Sequence, residues 1–175
     1  MFKRILLATD GSKHAKKAAS AAAELAATYN ARLTIVSVSS FSLTADEIER
    51  MPFARRFPKS VKDEIKNVRR AFDYDPFGGD IPYTSIPAPL TALTALANAR
   101  IDEAEAIAKR NKVKKITRVA LTGNAADGIL EQAKASKADL VVMGTRGLTD
   151  LGGLIMGSVS HKVIHVANCA CLTIK

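Results

Sequence analysis

The stretch RILLATDGSKHAKKAASAAAELAATYNARLTIVSV, residues 4–38, decides the fold. RILLA is a short continuous apolar run, TDGS marks a turn, and the following segment sets Ala15, Ala18, Ala19, Ala22 and Ala26 on one helix face. ARLTIVSV, residues 31–38, is then a β-branched run. Strand, helix and strand in close succession make a βαβ unit. Strands apolar throughout imply a parallel sheet covered on both faces.

The rhythm resumes in the second half. A helix is predicted from about Leu90 to Asn111, with Ala97, Ile101, Ala104, Ile107 and Ala108 on one stripe. ITRVALTGN (116–124) reads as the third strand, AADGILEQAKASK (125–137) as a helix, and ADLVVM (138–143) as the fourth strand. A helix from Ser158 to Ala167 and a last strand, CLTIK (171–175), complete the pattern. Five strands alternating with four helices predict a doubly wound, Rossmann-like α/β fold. Its parallel sheet has the order 3-2-1-4-5 and helices on both faces.

A chain of 175 residues, 47% hydrophobic and 25% charged, is ordinary globular material for one domain spanning 1–175. Residues 41–89 form an atypical insertion within it. They hold all six prolines, aromatics that include Phe53, Phe57, Phe72, Tyr74, Phe77 and Tyr83, and a basic run from Arg50 to Arg70 opposed in that window by Asp63 and Glu64. A connection this long is a functional loop or a disordered one, and its aromatics argue against disorder. Within it SVKDEIKNVRRAF (60–72) predicts a helix with Val61, Ile65, Val68 and Phe72 on one side. That side favours a lid or dimer extension lying on the body or on a partner, over a single-stranded nucleic acid site.

The formal charge of +9 favours anionic partners. Cys169 and Cys171 read as reduced packing residues of a cytoplasmic protein. No apolar run approaches the roughly 18 residues of a membrane span. His161 and His165, four apart on the last helix, have a metal-capable spacing without a convergent carboxylate or cysteine.

In an open parallel sheet ligands bind beyond the carboxyl ends of the strands. Asp10, Gly11 and Ser12 follow strand one there, Val38 closes strand two, and Gly144 follows strand four. Asp10 and Ser12 also read as helix caps. The stretch MGTRGLTDLGGLIMGSVSHKV, 143–163, lacks both the lysine of a P-loop and any Gly-x-Gly-x-x-Gly. Gly144 suits a turn off the strand and Gly147 a close backbone approach to a ligand, while Gly152 and Gly153 keep the loop mobile. Gly157 opens a helix whose free N–H groups, with the hydroxyls of Ser158 and Ser160, suit a phosphate.

The spacing Gly144-x2-Gly147-x9-Gly157-Ser158, together with ILLATDGS, ADLVVMGTRG and GSVSHKVIHVANC, resembles the universal stress protein family of the nucleotide-binding kind, over residues 1–40 and 90–175. The resemblance implies an adenine nucleotide, ATP or ADP/AMP, bound with Mg2+. It places Asp10 near the ribose and, through water or magnesium, near the phosphates. The backbone of Val38 reads the adenine edge, and Met143 and Gly144 line the ribose and adenine. Gly147, Gly157, Ser158, Val159 and Ser160 match the phosphate cradle. It further implies a homodimer paired through the last strand, where this chain has Ala170 in a position that often holds proline.

The expected role is a stress-response sensor or regulator rather than a high-turnover enzyme. No dedicated water-activating base is identifiable, so hydrolysis is slow at most. The alternative is an interaction module of the same fold that binds no nucleotide and docks a protein partner through 41–89. A phosphotransferase or adenylyltransferase would need a further substrate-binding domain.

Overall fold

Strand β1, Arg4–Ala8, runs through the middle of a five-stranded parallel sheet of order β3-β2-β1-β4-β5. This computed structural model describes residues 1–73, 86–148 and 156–175. The expectations for Gly152, Gly153, Tyr74, Phe77 and Tyr83, and for the side chain of Phe72, lie outside the described residues. The other strands are β2 (Arg32–Ser39), β3 (Lys115–Thr122), β4 (Leu140–Gly144) and β5 (Ala170–Ile174). Helices α1 (Lys13–Thr28), α4 (Leu90–Arg110), α5 (Ala125–Ala135) and α6 (Ser158–Val166) make the crossovers. Fold class and strand order are those predicted from the sequence.

Alternation along the central strands accounts for their continuous apolar character. Ile5 and Leu7 of β1 pack with Leu33 and Ile35 of β2 against α1 and α4, while Leu6, Ala8 and Val36 face α5 and α6. Each fully buried Ile or Leu contributes about 1.5–3 kcal/mol. The α1 face is alanine throughout (Ala15, Ala18, Ala19, Ala22, Ala23 and Ala26), so the helix lies close on the sheet. Ser12 caps α1, its Oγ accepting from the Ala15 N–H at 3.1 Å.

Helices α1, α4 and α5 end alike. Asn30, Lys112 and Lys137 adopt φ of 49°, 60° and 50°, and the next residue donates back to a carbonyl five positions earlier (Ala31 to Ala26, Val113 to Ala108, Ala138 to Ala133).

The excursion after β2 folds onto the body. It comprises α2 (Ala45–Arg50), a 3-10 turn (Pro52–Arg56) and α3 (Lys59–Asp73). A capping box between Thr44 and Glu47 starts α2. Ala45, Ile48, Phe53, Phe57, Val61 and Ile65 form a second core against Ala92, Leu93, Leu96 and Ala99. Thus α4 divides its length. Its first turns carry the excursion, and Ile101, Ala104 and Ala108 beyond them pack on the sheet. At the neck, Thr44 bridges Pro87 antiparallel, Ala45 N–H donates to Ile86 O at 2.9 Å, and Ala88 N–H to Leu43 O at 3.1 Å. Arg69 ties α3 to Asp46 and Glu49. Among the described residues no helix is long and apolar enough to cross a membrane.

Candidate functional site

The chain leaves β1 toward β2 on one side and reaches β4 and β5 on the other, so a crevice opens between β1 and β4 at their carboxyl ends. A cavity of about 410 Å3 occupies it, within the range typical of small-ligand sites. Asp10, Val38, Met143, Gly144, Gly147, Gly157, Ser158, Val159 and Ser160 all line this cavity. Ala8, Val36, Ile129 and Met143 give it an apolar floor.

Val38 sits where β2 outruns its neighbour. Thr9 N–H donates to Val36 O at 2.9 Å, so Val36 turns its carbonyl toward β1. Two residues on, Val38 turns its N–H and C=O the same way, past the end of β1 at Ala8. A hydrogen-bonding edge is thereby presented beside apolar side chains.

Asp10 ties two loops together. Oδ1 accepts from Ser12 N–H at 3.0 Å and Oδ2 from Leu148 N–H at 3.0 Å. Each oxygen keeps a further lone pair. The cap of α1 is Ser12, and Asp10 holds the glycine-rich loop against β1. The glycines prove necessary for close approach within the protein. A Cβ on Gly147 would stand 2.6 Å from Asp10 Oδ2, and one on Gly144 would stand 2.8 Å from His14 Cβ and 3.0 Å from Ala15 N. Gly11 has φ +78°, and a Cβ there would meet Phe53 Cζ of the excursion at 2.6 Å. A Cβ on Gly157 would make only ordinary contacts, the nearest 3.5 Å to Thr145 O.

Gly157 is the N-cap of α6 and supplies no side chain to it. The N–H groups of Ser158, Val159 and Ser160 therefore have no partners among the described residues, and they carry the partial positive charge of the helix terminus. Ser158 and Val159 are exposed. Ser160 is buried and already committed. Its hydroxyl donates to Thr145 O at 2.8 Å and Gly157 O at 2.9 Å, so the side chain shapes the loop and only its N–H remains available to an anion. Thr145 O also receives Gly157 N–H at 2.8 Å.

Arg100 is a lining residue that sequence reasoning missed. It lies on α4, is 4% exposed, and lines the cavity beside Gly11. Burial lowers the pKa of its guanidinium, and the charge of Asp10 raises it in part. A basic residue three positions beyond Ala97 and four before Ala104, on the helix stripe that turns inward, was the available signal. Arg146 also lines the cavity, whereas Lys162 pairs with Asp127 at 2.6 Å. His161 and His165 stack with centroids 6.1 Å apart, and no group of three metal-ligating side chains occurs among the described residues. The side chains of Cys169 and Cys171 pack on the α5–α6 core, and burial pushes both thiols up.

An open parallel sheet with a ligand-sized crevice at its switch point, floored by apolar side chains and walled by an uncapped helix terminus, defines an α/β protein of the doubly wound class. The chain belongs to the universal stress protein family, whose model matches residues 1–175. It is 33% identical over 175 residues to a universal stress protein of Thermus aquaticus, covering 100% of both chains. Among solved structures it resembles a universal stress protein in complex with cAMP (24% identity, TM-score 0.61, 99% of this chain and 97% of that one). It also resembles the universal stress protein from Archaeoglobus fulgidus in complex with dAMP (18%, TM-score 0.54, 100% and 98%).

Proposed function

We propose that the crevice binds an adenine nucleotide, with ATP as the principal ligand, and that occupancy makes the chain a sensor or regulator in a stress response. The observation that carries this reading is the meeting, in one cavity, of the three unmet N–H groups of α6 and the outward edge of Val38. Phosphate oxygens only accept hydrogen bonds, and those N–H groups only donate. The adenine ring fits an apolar slot with a backbone edge beside it, between Val38 and Met143. Asp10, fixed by two backbone N–H groups, faces the ribose between base and phosphates. The nucleotide complexes of the two structural relatives support the same ligand class.

Asp10 is the one acidic residue among the described residues of the lining. A single carboxylate with its oxygens partly engaged fits a Mg2+ held chiefly by the ligand's own phosphates, with Asp10 reaching its water shell. When bound, the ion neutralises phosphate charge. Among the described residues of the lining none is placed as a strong general base, and the reading is of binding, with slow hydrolysis at most.

Titration with ATP, ADP, AMP and cyclic AMP, with and without Mg2+, tests the proposal alongside Gly157→Trp, which fills the mouth of the cradle. Binding below millimolar by the wild type and its loss in the variant are expected. Absence of binding, or equal binding by the variant, refutes the reading. We further propose that the protein is cytoplasmic and a homodimer paired through β5, whose outer edge has no neighbouring strand among the described residues. Light scattering gives the mass that checks it. Val61 and Ile65 of α3 lie against α4, so that part of the excursion rests on the body of the same chain.

A further inference from the structure

Arg100 is the one charged residue buried among the described residues. Its stem lies against Gly11, with Cγ 3.4 Å from where a Cβ on that glycine would stand, and the residue lines the cavity. Its Nε is buried without a hydrogen-bond partner, and no ion pair engages it among the described residues. Asp10 is the charged neighbour that acts on it, but the two carboxylate oxygens of Asp10 accept from Ser12 and Leu148. The surroundings share this lack. Leu33 and Ile35 face α4, so alternation sets Ser37 and Ser39 on that same side of β2, and both hydroxyls are buried without partners. A guanidinium removed from water with donors unmet is costly for the fold by itself. Its planar fork matches phosphate or carboxylate oxygens.

The geometry points to Arg100 as an anion-binding residue that reads a phosphate oxygen of the ligand from the helix layer across the sheet from α6, so that the cavity selects phosphorylated nucleosides over nucleosides. This inference rests on the adenine-nucleotide reading and adds a determinant to it. The α6 terminus and Arg100 then address the anion from two sides, and Phe53 of the excursion, packed over Gly11, closes the wall beside the arginine.

The test compares ATP, AMP and adenosine on the wild type, Arg100→Gln and Arg100→Lys. Arg100→Gln is expected to weaken ATP and AMP by about ten- to a hundred-fold, the size of one charge-assisted hydrogen bond, and to leave adenosine unchanged. Without ligand it is expected to melt no lower than the wild type, because its removal orphans no partner. Arg100→Lys keeps the charge without the fork, and its loss for ATP and AMP is expected to be smaller. Wild-type affinity of Arg100→Gln for ATP and AMP, or an equal loss of adenosine, overturns the inference and leaves the nucleotide pocket standing. If Arg100→Gln fails to fold, the lysine variant decides: a loss confined to ATP and AMP supports the inference, and any other pattern overturns it. A wild type that binds none of the three refutes the pocket itself. Tripolyphosphate is then the probe, and its failure to raise the wild-type melting temperature overturns the role of Arg100 as well.

Discussion

Gly147→Ala adds one methyl group where the structure leaves no room. The new Cβ would stand 2.6 Å from Asp10 Oδ2, against an ordinary contact of roughly 3.5 Å. Either the loop moves out or the carboxylate turns away, and both responses break the 3.0 Å bond from Leu148 N–H. If Asp10 turns, the bond from Ser12 N–H at 3.0 Å is strained as well. One charge-assisted bond contributes about 1.5–3 kcal/mol, which is a factor of roughly ten to a hundred in the population of the closed loop. A ligand that binds only the closed loop loses apparent affinity by up to the same factor. Calorimetric titration of ATP into Gly147→Ala is therefore expected to show weaker binding, by up to about ten- to a hundred-fold, with little change in melting temperature because the loop is peripheral to both cores. Gly157→Ala is the control, since its Cβ meets nothing nearer than 3.5 Å. Wild-type affinity in Gly147→Ala, or a larger loss in Gly157→Ala, would refute the argument that Asp10 holds the loop.

Lys112→Gly and Lys137→Gly relieve left-handed backbone at exposed helix ends. Each is expected to stabilise by about 0.5–1 kcal/mol after the entropy of glycine is deducted, which calorimetry reads as a rise of roughly 2–4 °C per kcal/mol. Phe53→Ala empties the contact between the excursion and Gly11 and costs up to about 3–5 kcal/mol, felt locally. Limited proteolysis should then cut within 41–89 while the sheet resists; equal cleavage of wild type and variant counts against the docking described. Burial holds the thiols of Cys169 and Cys171 protonated to higher pH than in the unfolded chain, with Asp139 adding to the effect at Cys169. The folded state therefore keeps protons that the unfolded state releases above about pH 8.5, and stability falls as pH rises through that point. Alkylation at pH 7 should be slow in the native protein and fast in urea.

The fold was legible because its signals are local. RILLA matches β1 residue for residue, and the αβ alternation then leaves few topologies. The helix of 60–72 was legible from its apolar side, and the structure shows that side lying on the body through Val61 and Ile65. The α2 helix and the 3-10 turn were not, because six and five residues carry no period of their own. The nine expected positions all line one cavity, and the structure adds internal close contacts at Gly144 and Gly147 that the sequence did not reveal. Whether Gly147 makes room for a ligand or for Asp10 depends on a distance between segments 137 residues apart. Arg100 was hidden by its residue type. An arginine in a helix normally reads as solvated, and only the placement of α4 over the end of β2 takes it out of water.

The neck between Thr44 and Pro87 bears on how such a chain can diversify. Its paired backbone bonds fix the end of β2 relative to the start of α4 whatever lies between them. Lengthening a closed loop adds entropy cost only logarithmically, so residues can be inserted or removed beyond the neck without re-spacing the sheet. Of the described excursion, Leu43 at the cavity and Phe53 over Gly11 reach back to the crevice. Those two positions are therefore the ones that grafting a different cassette onto this scaffold must retain.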